Sequence, residues 1–185
     1  QATRGYGRAC AAGLAAIDGA AQIVCFLDGD GSDVPAFMPA IVGPIANREA
    51  DFVMGSRLRG TREPGSMTPQ QLVAGRVAGR LIRHFYGVRY TDMSPFRAAT
   101  VADLRALDMR EMTYGWNLEM QMKAAAAGWR VLEVAVDHRR RRGGVSKVSG
   151  DLVQGAKAAW IITRTFLRLA SSLKRTPEFS RQRHP

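Results

Sequence analysis

Gln22-Ile23-Val24-Cys25-Phe26-Leu27-Asp28-Gly29-Asp30-Gly31-Ser32-Asp33 joins an apolar run to an acidic, glycine-spaced turn. The run from Gln22 to Leu27 is rich in β-branched and aromatic side chains, which suits a short strand buried on both faces. A helix is expected after the turn. Ser32 or Asp33 can cap it, Pro35 suits its first turn, and Phe37, Met38, Ile41, Val42 and Ile45 make one stripe. Before the strand, Arg8 to Ala21 is rich in alanine and reads as a helix. Beyond the helix, Asp51 to Gly55 reads as a second strand, ending at Ser56-Arg57.

The same alternation continues downstream. Leu58 to Met67 is a loop. Thr68-Pro69-Gln70-Gln71 is a helix start: Thr68 caps, Pro69 takes the first helical position and Gln71 completes a capping box. Val73, Val77, Leu81 and Phe85 then recur every four residues until Gly87. Thr91 to Ala98 reads as extended or turn-like. Asn117 can cap a further helix, with Leu118, Met122, Ala125 and Ala126 inward and Gly128 ending it. Trp129 to Val136 alternates as a strand, a basic loop runs from His138 to Lys147, and a last helix spans about 150–170. Helices alternating with buried strands specify an α/β fold with helices flanking a mostly parallel sheet. Ligands of such sheets sit at the carboxyl ends of strands, where Asp28-Gly29-Asp30 stands.

The chain has 185 residues, 46% of them hydrophobic and 23% charged, which is globular composition and excludes whole-chain disorder. Lys plus Arg total 27 against 16 Asp plus Glu, a formal charge of +11. That excess favours an anionic partner: nucleic acid, a phosphorylated ligand or a membrane surface. The two cysteines, Cys10 and Cys25, cannot build a disulfide framework and fit a reducing compartment. No signal peptide is visible, and Ala158 to Ala170 is too short and too charged to span a bilayer.

Three features carry candidate chemistry. Asp28 and Asp30 offer hard oxygen ligands for Mg²⁺ or Mn²⁺, which can bridge to a diphosphate. Against this stands an acidic turn that only caps a helix. Arg139-Arg140-Arg141-Arg142-Gly143-Gly144-Val145-Ser146-Lys147 presents the donors a diphosphate needs, against which stands a solvated basic loop. Glu119 falls in the first turn of its helix, where the helix dipole alone favours an acid. Asp92 and Arg97 can simply pair within a loop. His84 and His138 lack metal-ligand spacing and read as structural.

Taken in order, Leu27-Asp28-Gly29-Asp30-Gly31-Ser32, Met54-Gly55-Ser56-Arg57, Thr91-Asp92 through Pro95-Phe96-Arg97-Ala98, Trp116-Asn117-Leu118-Glu119-Met120, Glu133-Val134-Ala135-Val136 and Gly144-Val145-Ser146-Lys147 form a resemblance. The set resembles the family 2 glycosyltransferases of the GT-A fold, near dolichol-phosphate mannose synthase and bacterial polyprenyl-phosphate sugar transferases. The likeness runs from about residue 5 to about residue 150. It implies a metal-dependent, inverting transfer of a sugar from a nucleotide-sugar donor to a phosphate or hydroxyl acceptor, such as a polyprenyl phosphate or a small molecule. It implies Asp28 near the nucleotide and Asp30 on the metal, the pair forming the metal site, with Arg57, Arg141, Ser146 and Lys147 at the donor phosphates. Asp92 and Arg97 fall in the acceptor loop, and Glu119 corresponds to an acid that serves some relatives as general base.

Pro95 stands where the family usually has Gly before Phe-Arg, and Val145 where many lipid-phosphate relatives have Glu. The family also begins with strands that hold much of the nucleotide base, so the chain is expected to be N-terminally truncated. On this reading residues 1–150 are a partial catalytic domain, 151–170 an amphipathic C-terminal helix and 171–185 a polar tail. The expected location is cytoplasmic, with the terminal helix a candidate for peripheral contact with the inner face of the membrane. No nucleic-acid partner is expected. The alternatives are a nucleotidyltransferase on a related fold and a basic nucleic-acid-binding module. The glycosyltransferase reading requires the acidic pair and the basic loop to share one cleft.

Overall fold

The computed structural model describes residues 5–143 and 152–173. In chain order the elements are α1 (Tyr6–Ala15), β1 (Ile23–Phe26), a 3₁₀ turn (Pro35–Phe37), α2 (Met38–Ala46), β2 (Phe52–Ser56), α3 (Pro69–Tyr86), β3 (Arg97–Thr100), α4 (Val101–Ala106), α5 (Trp116–Ala126), β4 (Val131–Ala135) and α6 (Leu152–Ser172). Among the described residues the strands form one sheet in the order β1-β3-β2-β4. β2 and β4 pair in parallel, with Met54 opposite Glu133. β3 runs antiparallel to both β1 and β2, with Arg97 opposite Phe26 on one side and Met54 on the other. Strands β1, β2 and β4 therefore point the same way, and the expected mostly parallel sheet carries one reversed strand inside it. The Thr91 to Ala98 segment, read as extended or turn-like, contains the start of that strand.

Strand alternation divides the core between the two faces. Phe52, Met54 and Ala99 pack with Trp116, Leu118, Met122, Ile82, Phe166 and Leu169 from α5, α3 and α6. Val53 and Ala98 face the other way, onto Ile41 and Ile45 of α2 with Phe96 and Val136. All five residues of β2 are buried, as the continuous apolar strand of a covered sheet must be.

The local signals hold unevenly. Thr68 and Gln71 form the expected capping box: the Thr68 side chain accepts from the Gln71 amide at 3.3 Å, and the Gln71 side chain accepts from the Thr68 amide at 2.9 Å. Neither Ser32 nor Asp33 caps a helix, because the chain enters α2 through the 3₁₀ turn that begins at Pro35. Asn117 lies one residue inside α5, which starts at Trp116. The orientation of α3 adds what the four-residue repeat alone left open. Val73, Val77, Leu81 and Phe85 point outward, and the helix packs on the body through Gly75, Ala78, Gly79 and Ile82. A Cβ on Gly79 would lie 2.1 Å from the Tyr90 carbonyl oxygen. The small-residue face thus sits hard against the chain, leaving no room for the larger side chains.

Candidate active site

Because β1, β2 and β4 run the same way, their carboxyl ends deliver Asp28, Arg57 and the basic loop to one edge of the sheet. After β1 the chain turns through Gly31, which has φ +80°, a left-handed conformation that favours glycine. A Cβ there would crowd the aliphatic part of Arg142 at 3.2 Å. Asp30 Oδ1 accepts from the Ser32 amide at 2.9 Å. Asp33 Oδ2 accepts from the Asp28 amide at 2.8 Å, so the residue expected to cap a helix instead braces the turn itself.

The basic loop is laced onto this turn. The Arg139 amide donates to the Ser32 carbonyl and the Arg142 amide to the Asp30 carbonyl, both at 2.9 Å. Arg141 Nε lies 2.9 Å from Asp30 Oδ2. On its other side the loop holds the segment after β2. The His138 amide donates to the Thr61 carbonyl, the Glu63 amide donates to the His138 carbonyl, and the Arg140 amide donates to the Glu63 carboxylate. The acidic turn and the described part of the basic loop are therefore held against each other at one end of the sheet. Ser146 and Lys147 lie outside the described residues.

Charge at this end of the sheet is unevenly balanced. Burial, reinforced by the negative charges of Asp33 and Asp30, pushes the Asp28 carboxyl up to about 6, against a smaller opposing pull from Arg57 and Arg141. Asp30 goes the other way: burial would raise it, but hydrogen bonds from Ser32 and the Arg141 charge outweigh burial and hold it below the usual range. Asp33 is almost wholly buried, and its Oδ1 has no hydrogen-bond partner among the described residues, with His138 Nδ1 3.6 Å away. The D-x-D loop thus carries a third carboxylate, and a buried imidazole stands beside it. Asp33 was readable as the third acid of Asp28-x-Asp30-x-x-Asp33; His138 offered no comparable spacing.

These residues fit a divalent cation. They supply hard carboxylate oxygens close together, including a buried Asp33 oxygen without a hydrogen-bond donor among the described residues. Among the described residues no group of three or more His, Cys, Asp or Glu forms a preassembled cage. A cation here would take one or two carboxylates and complete its shell with water and diphosphate oxygens, as Mg²⁺ sites do.

Arg57 is locked by Asp92. Arg57 Nε donates to Asp92 Oδ2 and Nη2 to Oδ1, both at 2.8 Å, and the Arg57 amide adds a third bond at 2.9 Å. Burial raises Asp92, but its bonds to Arg57 outweigh that and hold the carboxyl low. Asp92 therefore pairs with Arg57 rather than with Arg97, contrary to the pairing the loop allowed. Arg97 is fully buried in β3, where it donates to the Ser94 and Asn117 carbonyls and lies over the Phe52 ring at 5.8 Å. Burial lowers its pKa. Glu119 is likewise occupied. It accepts from the Arg110 and Glu111 amides and lies 2.9 Å from Lys123 Nζ, bracing the loop before α5.

The terminal helix packs on its own domain: Thr165, Phe166 and Leu169 are buried, while Trp160 and Leu167 are exposed. Among the described residues no helix is long and apolar enough to cross a membrane.

A mixed sheet with one reversed strand, an acidic turn after β1 and an arginine loop against it agree with the GT-A fold. The solved structure of glucosyl-3-phosphoglycerate synthase from Mycobacterium tuberculosis, in complex with Mn²⁺, uridine-diphosphate-glucose and phosphoglyceric acid, superposes with a TM-score of 0.62 at 19% identity, covering 91% of this chain and 56% of that one. Mannosyl-3-phosphoglycerate synthase from Rubrobacter xylanophilus gives 0.60 at 14% identity, over 98% and 56%. Residues 1–104 match glycosyl transferase family 2, and the chain belongs to that family. It is 37% identical over 151 residues to an uncharacterized glycosyltransferase of M. tuberculosis, covering 80% of this chain and 66% of the relative. It is 32% identical over 142 residues to the undecaprenyl-phosphate mannosyltransferase of Micrococcus luteus, covering 71% and 55%. The chain thus spans between about half and two thirds of the length of these relatives.

Proposed function

We propose that the protein carries part of the catalytic domain of a metal-dependent, inverting glycosyltransferase that moves a sugar from a nucleotide-sugar to a phosphate acceptor, with a polyprenyl phosphate favoured. The observation that carries the reading is the 2.9 Å contact of Arg141 with Asp30, which joins the acidic turn to the basic loop. Kinship with the undecaprenyl-phosphate mannosyltransferase favours the lipid-phosphate acceptor. Kinship in fold with an enzyme crystallised with Mn²⁺ and a uridine diphosphate sugar agrees with a divalent cation and a nucleotide-sugar donor.

Asp30 is the proposed cation ligand, with Asp28 beside it at the nucleotide. A bound Mg²⁺ or Mn²⁺ supplies Lewis-acid neutralisation of the donor diphosphate. The chain's own residues then do the following. Arg141 moves its charge from Asp30 towards the diphosphate oxygens, with Ser146 and Lys147 as further donors. Arg57, its guanidinium plane fixed by Asp92, retains N–H donors outside that pair for the same oxygens. The acceptor oxygen attacks the sugar C1 on the face opposite the leaving group. The new C1–O bond forms as the C1–O bond to the diphosphate breaks, and the electron pair leaves with the nucleoside diphosphate. A phosphate acceptor is already anionic, so this step needs no strong base. Glu119, whose oxygens are engaged, holds the loop before α5, and Arg97 braces the acceptor loop from inside the sheet.

The test is transfer of labelled hexose from nucleotide-sugars to polyprenyl phosphate in Mn²⁺. Asp30→Ala is expected to lower the rate by about 10²-fold or more while leaving the melting temperature near wild type. Unchanged turnover in that variant overturns the metal role.

A further inference from the structure

Helix α3 turns its largest apolar side chains to solvent. Val73, Val77, Leu81 and Phe85 are 58%, 46%, 37% and 46% exposed. Spaced at i, i+4, they touch in sequence along the helix and make one continuous ridge. Eighteen residues of helix extend about 27 Å, so the ridge runs most of the length of a small domain. A contiguous apolar surface of this kind marks a contact site more often than chance exposure does. Its flanks are basic: Arg76, Arg80, Arg83 and Arg89 are all exposed. From residue 64 to residue 91 the chain contains no Asp or Glu. Helix α6 adjoins α3 through Phe85 and Phe166, whose rings lie 5.7 Å apart. It is also free of acid over residues 152–172 and exposes Trp160, Arg164 and Leu167 on its outward side.

We propose that the α3 ridge is a docking face for an anionic lipid surface, with the four apolar side chains entering the headgroup boundary and the arginines pairing with lipid phosphates. The combination of an apolar ridge and a purely basic margin is what an in-plane amphipathic helix needs. A second copy of the chain fits poorly, because a two-fold contact would set the same arginines against each other. A polynucleotide would satisfy the arginines but leave the ridge against a hydrated sugar-phosphate backbone. The face is distinct from the candidate active site: it lies on the helix between the Ser56-Arg57 segment and the acceptor loop, and none of its residues contacts the acidic turn among the described interactions. It deepens the proposed reading in one respect, since a lipid-phosphate acceptor would be met at such a surface.

The test is co-sedimentation of the full chain with vesicles of phosphatidylcholine alone or mixed with phosphatidylglycerol. No donor or acceptor is present, so the result is independent of sugar transfer. The chain is expected to bind the mixed vesicles and to bind neutral ones weakly. Val77→Glu with Leu81→Glu is expected to abolish binding. Replacing Arg76, Arg80 and Arg83 together by Gln is expected to weaken it about a hundredfold and to remove most of its salt dependence. The Gln variant keeps the helix and its ridge, so it decides the matter if the Glu pair unfolds the chain by circular dichroism. Failure of the wild type to bind anionic vesicles, or equal binding by folded variants, overturns the proposal. Self-association in the ultracentrifuge that the Glu pair abolishes, with no vesicle binding, would assign the ridge to a second copy instead.

Discussion

Burial, reinforced by the Asp33 and Asp30 carboxylates, disfavours the charge on Asp28 and pushes its carboxyl up to about 6. The consequence for stability has a definite sign. Between about pH 4 and pH 6 the folded chain holds this proton and the unfolded chain does not, so folding is favoured by acid in that window and the contribution is lost as pH rises through 6. Above it, the ionised carboxylate is a standing cost. Asp28→Asn is therefore expected to stabilise the protein at pH 7 by about 2 kcal/mol and to change little at pH 4, measured by urea denaturation at both values. Equal effects at the two pH values would contradict the shift. The acids of the D-x-D turn were legible because a strand end and paired carboxylates are local features. The bidentate grip of Asp92 on Arg57 was not, since the two are joined only when the loop before β3 folds back onto the end of β2. The same holds for Glu119. Its position in a first helical turn was visible, but its three partners come from residues 110, 111 and 123.

Helix α3 was legible at its ends, while its orientation was left open by the four-residue repeat. The capping box and the terminating Gly87 depend on adjacent residues and appear as expected. The apolar repeat of Val73, Val77, Leu81 and Phe85 faces outward, and the inward face is Gly75, Ala78, Gly79 and Ile82. Small residues give no hydropathy signal, although they allow backbones to approach closely, and the contact with Tyr90 exploits that. Gly79→Ala is accordingly expected to destabilise by about 1–3 kcal/mol through overpacking, while Val77→Ala, on the exposed ridge, is expected to stay within about 0.5 kcal/mol. Comparison of the two urea midpoints checks the orientation of the helix; the reverse order would turn α3 over. Strand β3 escaped for a related reason. Arg97-Ala98-Ala99-Thr100 is short and opens on a charged residue, and only burial between β1 and β2 makes it the reversed strand of the sheet.

For the whole molecule, the decisive property is that three co-directional strands end at one edge and bring segments more than a hundred residues apart into contact. Helix and strand alternation was enough to place the acidic turn at that edge. Whether the arginine run would reach it depended on β4 pairing with β2 in a register that carries residues 137–142 over the turn. Membership of glycosyl transferase family 2 and the GT-A fold agree with that geometry. Arginines of the basic loop and of the α3 face both enter the +11 charge, so one number in the composition covers surfaces with different chemistry. The most direct measurement is calorimetric titration of nucleoside diphosphates with and without Mn²⁺, on wild type and Asp30→Asn. The account predicts that Mn²⁺ tightens binding of at least one diphosphate by tenfold or more in the wild type, and that Asp30→Asn loses this enhancement while keeping its fold. Binding indifferent to Mn²⁺ in the wild type, or an undiminished Mn²⁺ effect in Asp30→Asn, would contradict it.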